Sequence, residues 1–194
     1  MQDLTQESFE EEKFTDVDFS KKELKKKFFE KCVFKKCDFS DSQLKGSQFI
    51  ECTFDSCNFS LTKVVDVEFR DVTFKKSKLI GVDFTKCSQS FLQLSFNDSL
   101  VEDCNFSNLK MRKTVFKECQ LKESMFIESD LKESSFVDTD CEDTLFHHAN
   151  LEKVNFVGAK NYAINLMNNK TKGAQFSLPE AVSLLKKLEI VIKE

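Results

Sequence analysis

A hydrophobic period of five constrains this chain more than any other feature. Every fifth residue from Phe9 is large and apolar: Phe9, Phe14, Phe19, Leu24, Phe29, Phe34, Phe39, Leu44, Phe49, Phe54, Phe59, Val64, Phe69, Phe74, Leu79, Phe84. The register slips by two within 85–90. It resumes as Phe91, Phe96, Val101, Phe106, Met111, Phe116, Leu121, Phe126, Leu131, Phe136, Cys141, Phe146, Leu151 and Phe156. Of the 22 Phe only Phe28 lies outside these registers, whereas chance would place roughly one in five inside, so the period is strict.

Neither standard element accommodates such spacing. On an α-helix successive Phe would rotate by about 140° and scatter around the axis. On a continuous strand an odd spacing sends alternate Phe to opposite faces. The pattern works if the chain turns once per repeat, each unit giving a short extended side and a corner, with four units closing a square coil. A second inward position then falls two residues before each central one. It reads Cys32, Cys37, Ser42, Ser47, Cys52, Cys57, Thr62 in the first half and Ser99, Cys104, Thr114, Cys119, Ser124 in the second, with Leu109 the large exception. These are small residues, as a tight interior requires. In the first coil Glu7, Glu12, Lys22 and Lys27 hold that position instead, which predicts an irregular first coil.

Seven of the eight Cys occupy the small position and Cys141 a central one, with no CxxC anywhere. They read as buried small residues rather than zinc ligands or disulfides. Cys32 and Cys52 fall in one column, as do Cys37 and Cys57. No metal and no cofactor is expected.

Segments such as Cys37-Asp38-Phe39-Ser40-Asp41, Val82-Asp83-Phe84-Thr85-Lys86, Cys104-Asn105-Phe106-Ser107-Asn108 and Ala149-Asn150-Leu151-Glu152-Lys153 resemble the small-[Asp/Asn]-[Leu/Phe]-polar-polar unit of pentapeptide repeat proteins. The resemblance implies an all-β solenoid, a right-handed quadrilateral β-helix of about seven to eight four-sided coils, roughly 35 to 40 Å long at the strand spacing. The predicted organisation is an N-terminal extension over 1–7, the β-helix over 8–160 with its register break at 85–90, a degraded coil or loop over 161–176, and a C-terminal capping and dimerisation α-helix over 177–193. Ser177-Leu178-Pro179-Glu180 reads as a capping box with an early Pro. Leu184, Leu185, Leu188, Val191 and Ile192 then share an apolar stripe with Ala181. That stripe exceeds what one coil needs as a cover, and the resemblance supports a homodimer joined C-terminus to C-terminus.

Enzyme signatures are absent: there is no Gly-rich phosphate loop, GxSxG or HExxH. The only histidines, His147 and His148, are adjacent, so a short strand would aim them to opposite sides of the wall, one toward Cys119 or Cys141. The chain is read as a non-enzyme. Its net charge of −4 argues against direct nucleic-acid binding. No apolar run is long enough to span a bilayer and no signal peptide is recognisable, so a cytoplasmic location without membrane contact is expected.

Function then belongs to the outer walls. One column reads Asp98, Glu118, Asp138, and the adjoining face carries Asp103, Glu123, Asp143. Residues 118–153 hold ten acids against three Lys, while 21–36 hold eight Lys against two Glu. The leading expectation is a rod-like dimer that presents a surface to an unknown protein partner. The alternative follows from likeness to the quinolone-resistance (Qnr) and mycobacterial MfpA groups, whose acidic rods engage type II DNA topoisomerases as DNA mimics. Against it stand the modest net charge and the break near Gln89, which adds two residues where Qnr proteins project loops. Ile50, Leu61, Val65 and Ile80 are further outward apolar candidates for a binding surface.

Overall fold

The structure is a computed structural model that describes residues 6–188. Short strands stack in parallel, one above another. Phe9 faces Phe29, Phe29 faces Phe49, and Phe49 faces Phe69. On the next side Phe14, Phe34, Phe54, Phe74, Phe96 and Phe116 align through a six-stranded parallel sheet. The chain is therefore an all-β solenoid of about eight coils, with four five-residue segments in each regular turn.

The central residues fill the interior, and all sixteen from Phe9 to Phe84 are buried. Phe34 stacks on Phe14 at 4.7 Å and on Phe54 at 4.8 Å, and meets Phe39 edge-on at 5.5 Å and 73°. Offset stacking along the axis and T-shaped contact across it are the two arrangements that ring quadrupoles favour. A Tyr or Trp there would bury a donor without a partner, which accounts for a core built on Phe.

Corners of the regular coils use a residue with positive φ two places after the central one, for example Asp16 (52°), Lys36 (54°) and Ser56 (59°), whereas Lys86 at the register break does not. An L-residue in this conformation is strained by about 1–2 kcal/mol. Its backbone N–H is fixed in return: Asp16 donates to Lys35 O at 2.9 Å and Ser56 to Lys75 O at 2.8 Å, in the next coil. Not all sides are alike. Those centred on Phe39, Leu44, Phe59 and Val64 close with a bond from the N–H three residues on, as in Ser42 N to Phe39 O at 3.1 Å, whereas those centred on Phe49 and Phe54 are extended strands.

The repeat's polar letters have local duties. The Asp38 carboxylate accepts from Ser40 N at 2.8 Å, and the Asn58 and Asn105 side chains do the same for Ser60 and Ser107. The small inward residues are also donors: Ser77 Oγ reaches Phe54 O at 3.0 Å, Thr139 Oγ1 reaches Phe116 O at 3.1 Å, and Cys57 Sγ reaches Phe34 O at 3.3 Å. Size alone was the reason legible in the sequence. A hydroxyl or thiol that ties one coil to the next is a second.

Three expectations need correction. The first coil is regular in its backbone, since Ser8–Glu10 and Lys13–Thr15 pair in register with Phe28–Glu30 and Val33–Lys35. Glu7 and Lys22 stay exposed, and Glu12 and Lys27 are only half-buried. The second correction concerns Phe91, which does not resume the core. Val72 pairs with Leu94, and the extra residues are taken up between Ser88 and Gln93. Leu92 turns inward while Phe91 is 68% exposed at φ +60°.

The third lies at the C-terminal end. The ladder runs on, with Leu151 N bonded to Lys170 O at 2.8 Å and Asn155–Phe156 paired with Gln175–Phe176, so 161–176 forms a further, less regular coil. Beyond it, Glu180–Leu188 is a 3-10 helix rather than the predicted α-helix; residues 189–193 of that prediction lie outside the described residues. No capping box forms. Ser177 Oγ accepts from Gly158 N at 2.9 Å and Glu180 Oε1 from Asn161 N at 3.0 Å. Both oxygens serve the last coil, whose donors would otherwise be unpaired.

Candidate interaction surface

All six carboxylates singled out in the sequence stand at corners. Asp98, Glu118 and Asp138 have φ of 48°, 56° and 53°; Asp103, Glu123 and Asp143 have 50°, 47° and 53°. The backbone N–H groups of five of them, all but Asp143, are used between coils, as in Asp98 N to Lys117 O at 2.9 Å and Glu118 N to Val137 O at 3.0 Å, and all six side chains are exposed. Asp tolerates this backbone better than most residues, but Glu has no such preference. The same corners carry Lys36, Ser56 and Lys76 in earlier coils. The backbone therefore does not dictate acid.

Neighbouring acids are neutralised between coils. Lys122 pairs with Glu142 at 3.3 Å, Lys132 with Glu152 at 3.1 Å, Lys160 with Asp140 at 3.6 Å and Lys153 with Glu133 at 3.7 Å. Among the described residues, only Glu118 of the six column acids has an ion-pair partner, Lys117 at 3.4 Å. Five of the six column acids thus keep an uncompensated charge among the described residues.

The C-terminal stripe is divided. Leu184 is already buried within the chain, Leu185 is half-buried, Leu188 is 36% exposed, and Val191 and Ile192 lie outside the described residues. Exposed apolar side chains nevertheless gather at this end: Leu145, Val157, Met167, Leu178, Val182 and Leu188, against Val33, Leu61, Val65 and Phe91 over the rest of the described chain. Of the other outward candidates, Ile50 is buried at 8% and Ile80 half-buried, leaving Leu61 and Val65. Phe91 is the exposed residue that the period concealed.

The thiols are free and buried. Burial pushes Cys87 and Cys104 up to about 12 and Cys119 up to about 11. Cys52 and Cys57 are driven up further, first by the hydrogen bond each shares with the thiol stacked on it, Cys32 or Cys37, and then by burial. None has the electropositive, accessible setting of a nucleophile. His147 and His148 do not straddle the wall: neither is buried, because His148 is a corner residue at φ 53°. Tyr162 is buried beside Glu142, Asp143 and Glu180 at a cleft of about 370 Å³, its hydroxyl without a hydrogen-bond partner among the described residues; burial and then Glu180 push it up to about 12.

A family model described as a pentapeptide repeat region matches residues 27–101, 82–156 and 99–176. Among solved structures, a trypsin-treated form of QnrB1, a plasmid-mediated fluoroquinolone resistance protein, superposes with a TM-score of 0.65 at 16% identity, covering 96% of this chain and 100% of that one. Full-length QnrB1 gives 0.55 at 18% identity, covering 94% and 100%. Both likenesses are of fold. No curated protein matches the sequence.

Proposed function

Because this chain belongs to the pentapeptide repeat family, we propose that it performs no chemistry of its own and acts as a dimeric rod that presents its outer walls to a protein partner. The observation that carries this reading is the crowding of exposed apolar side chains at the C-terminal end, where Met167 and Leu178 are each 78% exposed. A solenoid end of that kind favours a second copy, joined C-terminus to C-terminus through Leu188 and the half-buried Leu185, with Leu184 spent on the chain's own core. We read the coil as right-handed and square in section, on its family. Eight unpaired thiols fit a reducing cytoplasm. Among the described residues no helix is long and apolar enough to cross a membrane. Light scattering on the full chain at tens of micromolar tests the dimer. Twice the 22.5 kDa chain mass is expected, falling to one chain in Leu188→Glu; a single chain throughout overturns it.

A second reading rests on the two carboxylate columns. Stacked at the roughly 4.8 Å coil spacing, they offer a line of negative charge of the kind a DNA-binding groove accepts, and the fold likeness to QnrB1 supports a type II topoisomerase as its target. The test is gyrase supercoiling with and without a fluoroquinolone. Inhibition or drug protection at micromolar protein, abolished when Asp98, Glu118 and Asp138 are changed to Lys, is the expected result. No effect of the wild-type protein removes this reading.

A further inference from the structure

The chain carries one tyrosine, and its hydroxyl has no hydrogen-bond partner among the described residues. Tyr162 is 3% exposed, and its ring packs on Phe156 at 5.7 Å and Phe176 at 5.5 Å. A phenylalanine would make the same ring contacts, as it does throughout the core, without burying an unmade hydrogen bond. Packing therefore leaves the hydroxyl unexplained. Ser183 repeats the anomaly, since its Oγ is also buried without a hydrogen-bond partner among the described residues.

Both residues line the cleft of about 370 Å³ beside the last coil, together with Glu142, Asp143, Ile164 and Glu180. The cleft opens where the ladder lapses: Glu123 N reaches Glu142 O at 3.1 Å, whereas Asp143, one coil on, makes no such bond among the described residues. Charge is unevenly answered there. Lys122 pairs with Glu142 at 3.3 Å, but neither Asp143 nor Glu180 has an ion-pair partner among the described residues. Glu180 uses one oxygen on Asn161 N at 3.0 Å and keeps the other. Its charge also reaches the Tyr162 hydroxyl and helps to hold the proton there.

We propose that this cleft binds a primary ammonium group carried on an aliphatic chain. An ammonium has three N–H donors and no acceptor. The cleft offers three acceptors to match, Asp143, the second oxygen of Glu180 and the Tyr162 hydroxyl oxygen, with Ser183 beside them and Ile164 for the methylenes. A guanidinium fits less well, because its flat fork suits the paired oxygens of one group and these acceptors come from separate parts of the chain. Among the described residues no group of His, Cys, Asp and Glu could hold a metal ion, so the cation is organic. Acids alone attract any cation, and the two buried hydroxyls are what give this cleft a preference for N–H donors. The inference goes beyond both readings of the outer walls and rests on neither.

With no tryptophan in the chain, intrinsic fluorescence reports on Tyr162 alone. The full chain is titrated with diaminobutane and with Nα-acetyl-lysinamide, and butyltrimethylammonium serves as a cation without N–H donors. A saturable change with either amine and none with the trimethyl cation is the expected result. Tighter binding of the diamine assigns a free polyamine as the source; tighter binding of the lysine probe assigns a protein side chain. Asp143→Asn should weaken binding about tenfold or more at an unchanged melting temperature. Tyr162→Phe, read by calorimetry, should do the same without melting lower, and Lys at Asp98, Glu118 and Asp138 should leave binding in place. No saturable response at millimolar amine, an equal response to the trimethyl cation, or binding that survives both cleft variants overturns the proposal. A Tyr162→Phe protein that melts lower overturns it too, because the hydroxyl then serves the fold.

Discussion

Asp138 folds over Gly158 in the next coil, so that a Cβ added at Gly158 would lie 2.0 Å from Asp138 Oδ1. Gly158 closes the column of Asp98, Glu118 and Asp138, and its φ of 72° suits a residue without a Cβ. Gly158→Ala should destabilise the protein by about 1–2 kcal/mol, the cost of the left-handed backbone. The carboxylate is a flexible end that turns away. A urea-denaturation cycle with Asp138→Ala checks this: the double variant should recover only a minor part of the loss.

Phe126 stacks between Phe106 at 4.9 Å and Phe146 at 5.2 Å and lies edge-on to Phe116 and Phe136. Phe126→Ala removes all four contacts and leaves a cavity that parallel strands on every side cannot close. A loss of about 3–5 kcal/mol is expected, read from the denaturation midpoint.

Buried thiols make the rod sensitive to alkali. Cys104 and Cys119 lose their protons near 12 and 11 in the folded chain, above the ordinary thiol value of 9.0. The unfolded chain therefore releases protons first. Their contribution is complete below pH 9.0 and disappears as pH rises through the folded values. Denaturation midpoints measured from pH 7 to 11 should fall above 9, and Cys119→Ser should flatten the fall. A midpoint indifferent to pH up to 11 would contradict the buried, protonated state.

Glu118 stands between Asp98 and Asp138 in one column. Glu118→Lys replaces two like-charge neighbours by two opposite ones, and Lys is accepted at other corners, such as Lys36 and Lys76. A gain of about 0.2–1 kcal/mol is expected at low salt, shrinking as salt screens the column. A variant less stable at 50 mM salt than the wild type would mean that the Lys117 contact outweighs the repulsion.

The sequence made the core legible because Phe at every fifth position leaves one geometry that buries them all. The six column acids were legible as well, since a fixed coil length turns spacing into alignment. Phe91 was not, for periodicity assigns a residue by its number, whereas a two-residue insertion lets the chain choose between Phe91 and Leu92 for the inward place. Ser177 and Glu180 match a helix-start motif so well that their service to Gly158 and Asn161 became visible only once the last coil was in place. Spacing also cannot tell a Cys chosen for size from one chosen for its S–H, and the Cys57 bond to Phe34 O supplies that second reason.

Most corner N–H groups find their acceptor in the coil that follows, as Asp16 and Ser56 do, which makes each coil a template for another like it. At Gly158 and Asn161 the acceptors are the side-chain oxygens of Ser177 and Glu180, standing in for the carbonyls that the next coil supplies elsewhere. They act as a growth poison does on a crystal face, filling the lattice sites where the next layer would attach. A chain ending at Phe176 would keep its walls and lose its terminus, and the exposed face would recruit strands from other molecules. The length of the rod is thus written in two polar side chains beyond the last repeat rather than in the repeats themselves.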